Sequence, residues 1–72
     1  MALDRGELNG ADKAIIGALR EGRNIPSNLA DELDYSREYV SSRLKRLREH
    51  EIVKNIGGGV YELIEENVPE KE

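Results

Sequence analysis

The apolar residues of this chain keep a helical period as far as Leu47 and then abandon it. Ile15, Ile16 and Leu19, then Leu29, Ala30 and Leu33, then Val40, Leu44 and Leu47 recur at the three- and four-residue spacing of a buried helix stripe. Beyond them Ile52, Val53, Ile56, Val60 and Ile64 are β-branched, and Gly57, Gly58 and Gly59 interrupt the run. β-branched residues favour extended backbone, and glycines supply the positive φ angles of a tight turn. The pattern predicts three helices followed by a two-stranded antiparallel hairpin over residues 52–56 and 60–64, an α+β fold.

Local signals mark the ends of each element. Asn9 followed by Asp12 suits an N-cap with an acid in the first turn, and Gly22 suits a helix stop. Gly17 costs that first helix about 1 kcal/mol relative to Ala, so the helix depends on packing. Pro26 suits the first position of the second helix, with Ile25 packed beneath it although Ile is a poor N-cap. Asp34 and Tyr35 form the next turn, Ser36 caps a third helix over residues 36–49, and His50 suits its C-terminal end. The expected core is Ile15, Leu19, Ile25, Leu29, Ala30, Leu33, Val40, Leu44, Leu47, Val53, Tyr61 and Leu63, with Tyr35 at its edge. Residues 1–8 read as a flexible segment, 9–64 as one domain, and 65–72 as an acidic, disordered tail.

Composition removes several function classes. The 72 residues leave room for one small domain, and with no Phe or Trp its core must be aliphatic. The absence of Cys removes disulfides, Cys-ligated zinc and thiol chemistry, and one His cannot make a His-rich metal site. No apolar run approaches the ~20 residues of a membrane span, and residues 1–10 lack the pattern of a secretory signal. A cytoplasmic protein is therefore expected. No pair of carboxylates has a plausible enclosed pocket, and no Lys-Ser or Lys-Thr follows the glycines as a phosphate loop requires. We expect no enzyme, cofactor, metal or small-molecule ligand.

The third helix is the segment with chemistry to offer. With Val40, Leu44 and Leu47 inward, the opposite face presents Glu38, Ser42 and Lys45, flanked by Tyr39, Ser41 and Arg46. Ser, Lys and Arg can donate to base edges or phosphates. Arg37 lies nearer the buried side and can reach a phosphate around the helix end. The whole chain carries a net charge of −4, yet residues 36–54 hold Arg37, Arg43, Lys45, Arg46, Arg48 and Lys54 against Glu38, Glu49 and Glu51, a net of +3. Residues 60–72 hold five acids and one Lys, so the acidity sits mostly in the tail. Taken alone, a charged helix face is ordinary solvated surface, and the lesser alternative for Tyr39 is packing against the second helix. The order of elements turns the balance toward binding.

Residues 11–64 resemble the winged helix-turn-helix superfamily. The stretch Ile25-Pro26-Ser27-Asn28-Leu29-Ala30-Asp31-Glu32-Leu33 resembles its support helix. Asp34-Tyr35-Ser36-Arg37-Glu38-Tyr39-Val40-Ser41-Ser42-Arg43-Leu44-Lys45-Arg46-Leu47-Arg48-Glu49 resembles its recognition helix, and Gly59-Val60-Tyr61-Glu62-Leu63 its second wing strand. Within the superfamily the chain is most similar to small archaeal regulators of the halophage phi-H repressor-like kind. It departs at Asp34 and Glu51, where Gly is usual, and at the wing tip, which lacks the common Arg.

The resemblance implies a transcriptional regulator, of the repressor type, that inserts its third helix into the major groove of double-stranded DNA. It implies a site of Ser36, Arg37, Glu38, Tyr39, Ser41, Ser42, Arg43, Lys45 and Arg46, with Glu38, Tyr39, Ser41, Ser42 and Lys45 toward base edges and Arg37, Arg43 and Arg46 toward phosphates. Ser27 and Asn28 would meet the DNA backbone through N–H groups at the start of the second helix, and Lys54 and Gly58 would do so from the wing. Short winged helices commonly bind as homodimers. The alternative class is a winged-helix module that docks a basic protein and leaves DNA alone. Single-stranded nucleic acid would call for more exposed aromatic surface than three Tyr provide.

Overall fold

The computed structural model describes residues 8–69. Their order is α1 (Gly10–Arg20), α2 (Pro26–Leu33), α3 (Arg37–Glu49), β1 (Val53–Asn55), β2 (Tyr61–Leu63) and a closing 3₁₀ turn, Glu65–Asn67. Three helices followed by an antiparallel hairpin make an α+β winged-helix layout, as the change of period predicts. No helix among the described residues is long and apolar enough to cross a membrane.

The caps fall where the sequence puts them. Asn9 Oδ1 accepts from the Asp12 N–H at 2.7 Å, and the Asp12 carboxylate accepts from the Asn9 N–H at 3.1 Å, a reciprocal capping box. Ser36 Oγ accepts from the Tyr39 N–H at 3.1 Å and starts α3. Pro26 opens α2 behind Ile25, which offers no side-chain cap. Helix α3 closes with Glu51 in the left-handed region at φ 63°, which lets Ile52 N–H reach back to Leu47 O at 2.9 Å. Asp34 takes the same conformation between α2 and α3. Both are the positions where the sequence lacks the usual Gly.

The core is one cluster in which the stripe Val40, Leu44 and Leu47 meets Ile15, Ile16 and Leu19 of α1 and Leu29 and Ala30 of α2. The hairpin pairs Val53 with Leu63, Lys54 with Glu62 and Asn55 with Tyr61. Alternation sends Val53 into the core with Tyr61 and Leu63 packed against it, while Lys54 points to solvent. Gly57, Gly58 and Gly59 turn the hairpin with φ angles of 115°, 64° and 79°. On its other edge β2 meets the α1–α2 connector: Asn24 and Tyr61 exchange two backbone hydrogen bonds of 3.0 and 2.7 Å.

Several expectations need correction. Ile25 is 39% exposed rather than in the core. It follows Asn24 in extended backbone, and with Asn24 paired to Tyr61, strand alternation turns Ile25 away from the core. Tyr35 is also exposed, set edge-on against Tyr39 with centroids 5.4 Å apart. Leu8, assigned to the flexible segment, and Ile52 are buried; residues 1–7 of that segment lie outside the described residues. Residues 65–69 are not a loose tail. Arg20 pairs with Glu65 at 2.8 Å, Asn67 Nδ2 donates to Glu51 O at 2.7 Å, and Val68 packs on the core. The rest of that tail, residues 70–72, lies outside the described residues.

Candidate nucleic-acid interface

Burying Val40, Leu44 and Leu47 leaves the opposite face of α3 to solvent, and Glu38, Ser41, Ser42, Lys45 and Arg46 are all exposed there. Arg37 is exposed too, contrary to its expected place near the buried side, because as the first helical residue it has no preceding turn to cover it. Arg48, counted in the basic segment but not in the expected site, adds an exposed cation to the last turn. Arg37, Lys45, Arg46 and Arg48 have no ion-pair partner among the described residues. Lys45, Arg46 and Arg48 gather in the C-terminal half of α3. Asp31, Glu32, Asp34 and Glu38 occupy the α2–α3 corner at its other end.

Arg43 is not available as a phosphate contact. Asp12 on α1 is 0% exposed, the one buried charged residue among those described. Arg43 meets it as a fork, Nε to Oδ1 at 2.8 Å and Nη2 to Oδ2 at 2.6 Å. A carboxylate in the core needs a counter-charge, and the planar guanidinium supplies it with two parallel bonds. Those hydrogen bonds raise the guanidinium above the ordinary arginine pKa, with burial pulling the other way. The signal for this pair was in the sequence: Asp12 sits three and four residues before Ile15 and Ile16, on the apolar stripe of α1.

Tyr39 also turns toward α1 and accepts a hydrogen bond from Asn9 Nδ2 at 3.2 Å. Ser36 is engaged as the α3 cap. Ser27 is exposed in the first turn of α2, and the missing side-chain cap at Ile25 leaves the N–H groups of that turn open to an outside acceptor. The Asn28 side chain is held by Asn24 Oδ1 at 2.8 Å and Glu32 Oε2 at 3.3 Å. On the hairpin, Lys54 lies 3.7 Å from Glu62, and Gly58 is exposed at the tip. The structure thus gathers Ser41, Ser42, Lys45 and Arg46 on one surface and gives Ser36, Asn28 and Arg43 intramolecular partners. Protein-family models, curated proteins and solved structures were each compared with the chain, and none matches it.

Proposed function

We propose that this chain is a cytoplasmic, sequence-specific double-stranded DNA-binding regulator of transcription, of the repressor type, that places α3 in the major groove. The observation that carries this reading is the exposed face of α3, where Lys45 and Arg46 have no ion-pair partner among the described residues and stand beside Ser41 and Ser42. A major groove about 12 Å wide admits one helix, and hydroxyl, ammonium and guanidinium donors suit its base edges and walls. Ser42 and Lys45 read bases, while Arg46, with Arg37 and Arg48 beside the face, neutralises phosphates. So few free cations give modest non-specific affinity, and specificity rests on two half-sites bound by a homodimer.

A mobility shift with a random-sequence duplex pool, followed by selection of bound sequences, tests this. Ser42→Ala and Lys45→Ala should weaken a selected duplex far more than the pool. Arg46→Ala should weaken both alike and flatten the salt slope by about one. The acids of the α2–α3 corner favour one other reading, a docking surface for a basic protein. That reading takes over if the chain binds no duplex even at low salt.

A further inference from the structure

Asn9 is held so that its amide has a single orientation. Its Oδ1 accepts the Asp12 N–H at 2.7 Å, so its NH2 points the opposite way and donates to the Tyr39 hydroxyl at 3.2 Å. A reversed amide would set two donors against each other at Asp12 and lose both bonds. The cap itself is fixed, because the Asp12 carboxylate is gripped by the Asn9 N–H and by the Arg43 fork.

A phenol oxygen carries one proton and can also accept. Since the Tyr39 oxygen accepts from Asn9, its own proton is left to donate, and among the described residues no acceptor takes it. Asn9 and Tyr39 are both exposed, and the Tyr35 ring meets the Tyr39 ring edge-on at an interplanar angle of 61°. A neutral, pre-oriented donor therefore stands at the edge of the α3 surface that faces α1.

We propose that the Tyr39 hydroxyl donates to a phosphate oxygen at the wall of the groove, with Asn9 as the residue that positions it. The inference rests on the DNA-binding reading above and adds a contact of a different kind. Tyr39 shares its flank of α3 with Arg43, four residues on and held by α1, and with the exposed Arg46, seven residues on, whereas Lys45 lies on the outward face. A donor on that flank meets the backbone rather than the floor of the groove. The contact comes from a neutral hydroxyl, so it adds no counterion release to that of Arg46.

The test compares Tyr39→Phe, Asn9→Ser and the double variant with Arg46→Ala, titrating each with the random duplex pool over a range of KCl. Ser keeps a capping oxygen at position 9 but is too short to donate to Tyr39. Each single variant should lower affinity by about 10-fold or more, the worth of one hydrogen bond to a charged oxygen. The double variant should lose no more than either single one. The salt slope should match the wild type in all three, in contrast to Arg46→Ala, and the melting midpoint of Tyr39→Phe should stay at the wild-type value. Additive losses, a changed slope, or wild-type affinity in Tyr39→Phe while Arg46→Ala weakens binding would overturn this inference and leave the DNA reading standing. A wild-type chain that binds no duplex would overturn both.

Discussion

Replacing Arg43 by Met keeps the aliphatic stem against α1 and strands the Asp12 carboxylate in the core. Removing one partner of a buried pair costs about 3–5 kcal/mol, because the remaining charge has lost its water and gained nothing in exchange. Arg43 keeps 20% of its side-chain exposure while Asp12 keeps 0%, so water reaches one end of the pair and the lower figure, about 3 kcal/mol, applies. A domain of this size has roughly 4–11 kcal/mol in total, so the variant sits near the edge of folding. Asp12→Asn should cost less, because an amide oxygen still closes the capping box and Arg43 can extend toward solvent. The double variant Asp12→Asn/Arg43→Met buries no charge and should be more stable than the sum of the singles implies, by about 2 kcal/mol. Urea unfolding followed by circular dichroism measures all four chains, provided the m-values agree. Strict additivity, or an Arg43→Met midpoint equal to the wild type, would refute the claim that Asp12 depends on Arg43.

Glu51→Gly should raise the urea midpoint. The left-handed conformation at φ 63° costs a non-glycine residue about 1–2 kcal/mol, of which the greater freedom of Gly in the unfolded chain takes back about 0.5–1 kcal/mol. A lower midpoint would contradict this. The Arg20 hydrogen bond lowers the pKa of Glu65 below the ordinary glutamate value. A carboxylate whose folded value is depressed adds stability above its unfolded value, and that stability is lost as the pH falls through the folded value. Glu65→Gln should therefore change little at neutral pH, where an exposed pair counts for little, and lose less than the wild type on acidification to about pH 3. An identical acid response in both chains would contradict it.

The helices, their caps and the hairpin were legible because each is specified within a few residues, by a stripe, an Asn or Ser cap, or a run of glycines. What sequence reasoning missed depends on partners far away along the chain. Ile25 is as apolar as Ile15, and only the pairing of Asn24 with Tyr61 decides that it turns outward. Glu65 and Asn67 read as tail because their ties, to Arg20 and to the Glu51 carbonyl, leave no periodic trace. Arg43 looked like one more cation on a basic helix. Its role depends on the buried Asp12, whose trace in the sequence is an acid on the apolar stripe of α1. The serines and lysine of the α3 surface needed no distant partner, so their placement followed directly from the helical period.

The bridge between Asn24 and Tyr61 gives β2 a neighbour on each edge, and this changes how the molecule can open. A hairpin attached only at its base could detach and re-form while the helices stayed intact. Here, peeling β2 away also frees the connector between α1 and α2, and Tyr61 leaves the core with it. The amide hydrogens of Asn24 and Tyr61 should therefore exchange with solvent together, in an opening that involves the helical half as well. The bridge also closes a long loop, so the hairpin locks into place only once α1, α2 and α3 have brought its two partners near. The wing then moves with the helices as part of a single cooperative unit.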